Sequence, residues 1–346
     1  MPVVLVVPGL LAHARDALER TSLPAIVRSA RTSHVEGEGI DAAVGIVSGL
    51  ARGIGAAPLA ALGAGCDLAN RAIAYADPIV LRVGHVDVTL AARVDDVADA
   101  DAAAIIADLN RHFANDGLAF VVPRPDRWLV HAGELPPLDA APLERARGQN
   151  LREALPRGPG GERWLKWLNE VQMLLHEHPV NRAREAQGLP PVNGIWFSGT
   201  GRLSAASRPA IARVTATPGR DGDVARGLAR LAGIQPGTLP RRWIDFDGTS
   251  PGATLIALPD QRAGDLGAID SHWLRPAMGA LEDRSLDELI VVSDGHGAAV
   301  TWRCSRQGAL RRTIARFKSL AFEVPAGPEV GASPSAAATS PPPRRP

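Results

Sequence analysis

Short, continuous apolar runs alternate with helical patterns along the chain. The runs lie at Val3–Val7, Ile195–Phe197, Ile211–Ala216, Ala253–Leu258 and Leu289–Val292. Uninterrupted runs of β-branched residues and Leu are typical of strands that are buried on both faces of a parallel sheet. The pattern therefore predicts an α/β fold with a largely parallel sheet flanked by helices. Functional side chains of such sheets gather beyond the carboxyl ends of the strands, where Asp260 and Asp294 fall.

Residues 76–154 have a different pattern. A near-alternating stretch is followed by a helical pattern and then by two short runs around an Arg-Pro-Asp turn at 124–126. This order of strand, helix and hairpin predicts a small α+β subdomain, inserted into a core domain formed by 1–75 and 155–324. Residues 325–346 are rich in Pro, Ala and Ser, which predicts a disordered tail. A polyproline segment that binds a partner is the alternative for this tail.

An apolar stripe marks the helix before Pro179. Its positions are spaced by one, three and four residues from Trp164 to Leu175, so that one helix face packs on the core. Because proline disfavours helical geometry at the residue before it, the helix is expected to end near Glu177.

The composition narrows the class of protein. The chain has 346 residues, 45% of them apolar and 4% aromatic, so aliphatic packing carries most of the core. A net charge of +1 gives no reason to expect nucleic acid or an acidic membrane surface as a partner. Two cysteines are expected to be reduced thiols, and the apolar start lacks the basic region of a signal peptide. With no apolar run near 20 residues, we expect a cytoplasmic protein.

The segment 176–203, HEHPVNRAREAQGLPPVNGIWFSGTGRL, resembles a segment of the archaeal-type cofactor-independent phosphoglycerate mutases. Together with WLNEVQMLL before it, the segment is more similar still to the bacterial Rpf-type regulatory protein E (RpfE-like) branch. Two further segments, 57–78 and 214–236, resemble the same mutases in the same order. The resemblance implies an alkaline-phosphatase-like core. It also implies two-metal phosphoryl transfer, in which carboxylates and imidazoles hold the metals and a serine carries the phosphoryl group.

The chain departs from the mutase pattern at the catalytic positions. Pro8 stands where the first strand should deliver a metal-binding aspartate, and Ile40 stands at the nucleophile position, next to Asp41. Gly264 replaces a metal-binding histidine, although Asp260 of the same motif is kept. The last motif has Asp294 and His296 with one residue inserted between the ligands. Three of the four ligand clusters are thus broken, which predicts a degenerate site.

Some of these residues have a second possible role. Asp260, Asp294 and His296 are the residual metal candidates, but a turn stabilised by Asp294 is the favoured interpretation of the last motif. Ser48 lies near the nucleophile position, and we expect an ordinary loop or helix-cap serine there. His176 and His178 are two residues apart and do not face each other on a helix, so a metal chelate is not expected.

Candidate binding residues follow from the same segment. His178, Asn181 and Arg184 are expected to line or brace the entrance of a cleft, with Asn193 fixing the next turn. The alternative is that these groups satisfy loop backbone as caps. Phosphate or carboxylate contacts are expected from Arg182, Arg184 and Arg202.

Three hypotheses about function result. The first is a non-catalytic regulatory or metabolite-binding protein without a cofactor, whose partner is a small phosphorylated or carboxylated metabolite or a protein. The second is an active mutase or phosphatase with a remodelled site, which uses Asp41, Asp260, Asp294 and His296 with two divalent cations of the Mn²⁺ or Zn²⁺ class. The third is a structural role, in which the inserted subdomain or the tail supplies a docking surface.

Overall fold

The computed structural model describes residues 1–35, 39–66, 70–84, 87–204, 207–245, 252–295 and 298–305. The predicted tail and His296 lie outside these residues. The strands are β1 Pro2–Val7, β2 Arg31–Val35, β3 Ala72–Val83, β4 Val88–Arg93, β5 Ala119–Arg124, β6 Arg127–Ala132, β7 Gly194–Gly201, β8 Arg213–Ala216, β9 Gly237–Thr238, β10 Thr254–Ala257, β11 Glu288–Ser293 and β12 Ala299–Ser305.

The α-helices connect the strands and cover the sheets. They are α1 Arg15–Glu19, α2 Leu23–Ser29, α3 Gly39–Val47, α4 Ala56–Ala64, α5 Asp99–His112, α6 Leu143–Ala146, α7 Leu151–Ala154, α8 Gly161–His176, α9 Pro179–Ala186, α10 Asp223–Leu231, α11 Leu266–Ile269 and α12 Arg275–Glu282. Short 3₁₀ turns occur at Leu10–Ala12, Phe113–Asp116, Arg220–Gly222 and Trp243–Asp245, and a π-turn at Asp270–Leu274 precedes α12.

The larger sheet has seven strands in the order β2-β12-β11-β1-β10-β8-β9. The pairs among β11, β1, β10, β8 and β9 are parallel, and the pairs β11–β12 and β12–β2 are antiparallel. The strands β1, β10 and β11 are almost entirely buried, which agrees with their continuous apolar runs. The predicted α/β class with a largely parallel, helix-flanked sheet is therefore confirmed.

The second sheet has five strands and is antiparallel. Its path is β4-β3-β6-β5, and β7 pairs with the other edge of β3. The prediction that Ile195–Phe197 lies in the parallel sheet is thus wrong, because its strand pairs antiparallel with β3. An apolar run alone cannot tell which of two sheets a buried strand joins. The domain boundaries at 75/76 and 154/155 stay a prediction.

Local predictions from the sequence agree with the elements. The helix α8 ends at His176, with Glu177 as its C-cap, and His178 has extended backbone before Pro179. The hairpin β5–β6 turns at Pro125-Asp126. Among the described residues, no helix is both long and apolar enough to cross a bilayer.

Close helix packing joins α4 to α10 on one face of the larger sheet. A Cβ atom on Gly63 would lie 1.8 Å from the carbonyl oxygen of Asp223, and one on Gly227 would lie 1.9 Å from that of Leu59. Only glycine permits this approach of two backbones. The contact positions α4, whose first residues form one wall of the cleft described next.

Candidate functional site

A cleft with a volume of ≈ 370 Å³ lies between the carboxyl edge of the larger sheet and the second sheet. Tyr75, Asp77 and Ser198 of β3 and β7 form its floor. The first residues of α3 and α4 and the loop 138–145 form its walls. Asp294, directly after β11, faces the cleft from the larger sheet. The site therefore occupies the strand edge at which the sequence predicts it.

The guanidinium group of Arg262 lies among three carboxylates beside this cleft. Its Nη2 donates to Asp294 Oδ2 at 2.7 Å, and its Nη1 donates to Oδ2 of Asp260. The Oε2 atom of Glu144 lies 4.0 Å from Nη1. The side chains of Arg262 and Asp294 are only 20% and 9% exposed. These four residues, which we call the Arg262 cluster, have a resident positive charge at their centre.

The turn after β1 completes the cluster with backbone groups. The N–H of Gly9 donates to Asp294 Oδ1 at 2.7 Å, and the carbonyl of Pro8 accepts from the N–H of Gln261 at 2.8 Å. Gly9 has a φ of 74°, and a Cβ atom there would lie 2.5 Å from Cγ of Arg262. The first strand thus leads into a tight turn that packs against Arg262, at the position where the resemblance to the mutases implies a metal-binding aspartate.

The pKa shifts of Asp294 and Arg262 reflect the opposite charges that meet in the cluster. Burial raises the pKa of Asp294, against the lowering effects of Arg262 and of the Gly9 N–H. Burial lowers the pKa of Arg262, but Asp294, Glu144 and Asp260 outweigh this and raise it overall. The guanidinium therefore stays protonated and holds the carboxylates together.

Among the described residues, the arrangement does not fit a two-metal centre. Both retained carboxylates, those of Asp260 and Asp294, are already paired with Arg262. By the resemblance to the mutases, Pro8 stands at the ligand position after the first strand, and a proline side chain has no donor atom for a metal. Within the described residues, no group of three or more His, Cys, Asp or Glu side chains is arranged to hold a metal ion. His296, the third residual candidate, lies outside that part of the chain.

The start of α3 brings the predicted nucleophile position into the cleft. Ile40 and Asp41 both line it, and the Tyr75 hydroxyl donates to Asp41 Oδ2 at 2.7 Å. Burial raises the pKa of Asp41, against Arg127 and the Tyr75 hydrogen bond, which lower it. Ser48 is 1% exposed and is absent from the residues that line the cleft. Its hydroxyl has no hydrogen-bond partner among the described residues.

A buried arginine cluster fixes the second sheet to the larger one beneath the cleft. Asp223, which is 0% exposed, accepts hydrogen bonds from Arg124, Arg127 and Arg226. Arg127 is 2% exposed, and its Cζ lies 4.8 Å from the centre of the Tyr75 ring. Because Arg124 and Arg127 belong to the β5–β6 hairpin and Asp223 begins α10, these ion pairs hold the cleft floor in place.

His178, Asn181, Arg184 and Asn193, four candidate residues of the segment 176–203, have structural hydrogen bonds. His178 caps α9, with Nδ1 accepting from the N–H of Val180 at 3.2 Å. The side chains of Asn181, Arg184 and Asn193 form hydrogen bonds with backbone groups. Arg184 also forms an ion pair with Asp96, at 2.6 Å. This arrangement matches the alternative in which the polar groups satisfy loop backbone.

Neither remaining arginine candidate lines the cleft. Arg182 is exposed on α9, and Arg202 donates to the backbone carbonyls of Asn70 and Gly133. The arginines that line it, within the described part of the chain, are Arg145 and Arg220. Arg220 Nη1 donates to Asp77 Oδ1 at 3.2 Å.

Sequence reasoning missed Arg262, Glu144, Tyr75 and Asp77. Arg262 stands two positions after Asp260, inside the segment that resembles a metal-binding motif. A positive charge so close to an expected metal ligand was the signal that could have identified Arg262. Tyr75 and Asp77 share one face of β3, so a polar pair at spacing two in an apolar strand could have indicated a cleft floor. For Glu144, no local pattern marks its approach to Arg262.

Comparison with known proteins shows what the sequence is similar to. Residues 51–181 match the model of the 2,3-bisphosphoglycerate-independent phosphoglycerate mutase family. A probable mutase of this kind from Geobacter sulfurreducens is 32% identical over 103 residues, which cover 28% of this chain and 25% of that protein. The mutase of Methanosarcina acetivorans is 25% identical over 242 residues, which cover 69% of this chain and 54% of that protein. The matches thus span about a quarter to a half of the relatives' lengths.

A solved structure extends the list. The cofactor-independent phosphoglycerate mutase of Thermoplasma acidophilum aligns with a TM-score of 0.36 at 18% identity, over 88% of this chain and 90% of that one. On the sequence matches, the chain is a protein similar to the cofactor-independent phosphoglycerate mutases.

Proposed function

We propose that this phosphoglycerate-mutase-like chain is a non-catalytic regulatory or metabolite-binding protein of the RpfE-like branch, with an alkaline-phosphatase-like core. The observation that carries the proposal is the Arg262 cluster. A guanidinium group pairs with Asp260 and Asp294, the two carboxylates that a metal centre of the mutase type would need. A divalent cation would have to displace Arg262 and would then lack the ligand that Pro8 replaces.

The position of the hydroxyl groups supports the same conclusion. Ile40 occupies the nucleophile position and cannot carry a phosphoryl group. The hydroxyls that line the described part of the cleft are those of Tyr75, Ser198 and Thr200. All three lie on the second sheet, and none has a hydrogen bond to Asp260 or Asp294. Because nucleophile and metals act as a unit, the remaining parts should not give a partial activity.

The proposal also includes the kind of ligand and the cellular location of the protein. A small phosphorylated or carboxylated metabolite would pair with Arg145 or Arg220, which line the cleft. A protein partner is the other expected ligand. We place the protein in the cytoplasm, in line with its two free cysteines.

An active enzyme is the second candidate function. The observation that favours it is that Asp41 and Asp294, from opposite ends of the chain, line the same cleft. With Asp260 and His296 they would have to hold two cations of the Mn²⁺ or Zn²⁺ class. This candidate requires Arg262 to swing away and a hydroxyl to reach the metals.

Turnover of 3-phosphoglycerate, followed by ³¹P NMR in the presence of Mn²⁺ or Zn²⁺, separates the two candidates. The Methanosarcina acetivorans relative serves as the positive control. We expect no 2-phosphoglycerate above the protein-free background. Product formation that scales with protein and with metal would contradict the proposal. The variant Arg262→Ala should also be inactive, since freeing the carboxylates restores no nucleophile.

A further inference from the structure

Three side chains in the cleft have oxygen atoms without a hydrogen-bond donor among the described residues. One oxygen of Asp41 accepts from Tyr75, and the other has no donor. One oxygen of Asp77 accepts from Arg220 at 3.2 Å, and the other has none. Ser198 is 4% exposed, lines the cleft and has no partner for its hydroxyl. An unpaired acceptor in a half-closed site costs free energy unless a ligand or water supplies a donor.

Strand pairing gathers these acceptors in one place. Tyr75 of β3 lies directly opposite Ser198 of β7, and Asp77 is two residues further along β3, on the same face. The Tyr75 hydroxyl reaches Asp41 at the start of α3, so that Asp41 lies above this face. The free oxygens therefore surround one corner of the cleft.

The carboxylates of that corner can each accept one more hydrogen bond. Asp77 is 1% exposed and has one ion pair, to Arg220, and the donor to Asp41 among the described residues is the neutral Tyr75 phenol. Arg127, beneath the floor, acts to lower the pKa of both carboxyls, but its hydrogen bonds go to Asp223 and to the Arg220 carbonyl. One oxygen of each carboxylate is thus left for a donor that carries a positive charge.

We propose that the cleft binds the primary ammonium group of a small cationic metabolite among Asp41, Asp77 and Ser198. An ammonium group has three N–H donors and no acceptor, which matches three acceptor oxygens. Hydrogen bonds from a cation to carboxylates are shorter and stronger than those between neutral groups. This inference rests on the proposed function, because it assigns the cleft to binding rather than to turnover. It also favours a cation over the phosphorylated acid that the sequence predicts.

Isothermal titration calorimetry with three probes tests the inference on the full chain. Putrescine carries primary ammonium groups, 1,4-butanediol has the same length without charge, and 3-phosphoglycerate is anionic. We expect putrescine to bind at least about tenfold more tightly than the diol, the difference expected for one charge-assisted hydrogen bond. The phosphorylated acid should bind more weakly than putrescine.

Two variants locate the site. Asp41→Asn keeps an acceptor for Tyr75 but removes the charge, and it should weaken putrescine binding about tenfold. Ser198→Ala removes a hydroxyl without a partner, so it should fold normally and weaken binding a few-fold. The control Asp16→Asn changes a carboxylate on α1 that is 75% exposed and should leave binding unchanged.

The outcomes separate this inference from the proposed function. Putrescine binding that Asp41→Asn weakens and Asp16→Asn does not would support the ammonium site. Binding of 3-phosphoglycerate alone, without turnover, would overturn the ammonium site and leave the proposed function standing. No binding of putrescine, or equal binding of putrescine and the diol, would also overturn it. Metal-dependent turnover would instead contradict the proposed function itself.

Discussion

Replacing Arg262 by alanine should destabilise the protein and create a site for a divalent cation. The substitution leaves Asp294, whose side chain is 9% exposed, with the Gly9 N–H as its remaining donor. Breaking a fully buried ion pair costs about 3–5 kcal/mol, and breaking an exposed pair costs about 0–1 kcal/mol. Arg262 is 20% exposed and Asp260 36% exposed, so the cluster lies between these limits. We expect a loss of about 2 kcal/mol in the free energy of unfolding, close to that of one hydrogen bond between charged groups.

The second half of this prediction concerns Mn²⁺. Asp260, Asp294 and Glu144 are not spaced to hold a metal ion in the present structure. Without the guanidinium between them, these carboxylates are free to close around a hard cation, which takes oxygen ligands. At about ten times its dissociation constant, such a cation would restore about 1.4 kcal/mol. The wild type should gain nothing, because Arg262 already occupies that position.

Urea unfolding followed by tryptophan fluorescence, with and without Mn²⁺, measures both effects. The seven tryptophans provide the signal. Arg20→Ala, which removes an 82% exposed partner of Asp16, is the matched control and should change stability by less than about 0.5 kcal/mol. Equal stabilisation of wild type and Arg262→Ala by Mn²⁺ would refute the reasoning, as would an unchanged stability of the variant.

Three further predictions concern the frame around the cleft. Asp223→Ala leaves Arg127 buried without its carboxylate and should cost about 3–5 kcal/mol in urea unfolding. Gly227→Ala forces a Cβ atom against a carbonyl of α4 and should cost about 1–3 kcal/mol, whereas Gly279→Ala, in open space on α12, should gain about 0.5–1 kcal/mol. Asp41→Asn should be more stable than wild type at neutral pH, because burial raises the pKa of that carboxyl in the folded state.

The sign of the pH effect follows from proton binding. A raised folded-state pKa means that the folded protein binds more protons than the unfolded chain above the ordinary value of 3.8. The free energy of unfolding of the wild type therefore falls as the pH rises from 3.8 through the folded-state pKa. The advantage of Asp41→Asn should grow over this window and stay constant below it. An advantage that does not change with pH would contradict this account, as would an Asp223→Ala variant with wild-type stability.

The fold was predictable where the pattern was local. Continuous apolar runs identified β1, β10 and β11, and the proline after His178 marked the end of α8. The placement of β7 was not predictable from its own residues, since a buried strand has the same composition in either sheet. The strand belongs to the second sheet because it pairs with β3, which lies more than a hundred residues away in the sequence.

The contacts of the candidate site were less predictable than the strands and helices around it. Pro8 and Ile40 are visible in the sequence as residues without the required chemistry. By contrast, the contact between Arg262 and Asp294 joins residues 32 positions apart, and Glu144 comes from a different part of the chain. Such a cluster depends on how two sheets and a loop pack. The role of His178, Asn181 and Asn193 as backbone partners was one of two alternatives that only their hydrogen bonds distinguish.

The central claim is that a guanidinium group has replaced the metals of a mutase-like site. Elemental analysis of the wild-type protein, purified without chelator and dialysed against Mn²⁺ and Zn²⁺, tests it most directly. We expect a metal content no higher than that of a control protein without a metal site. About two equivalents of bound metal per chain, the number used by two-metal phosphoryl-transfer enzymes, would contradict it.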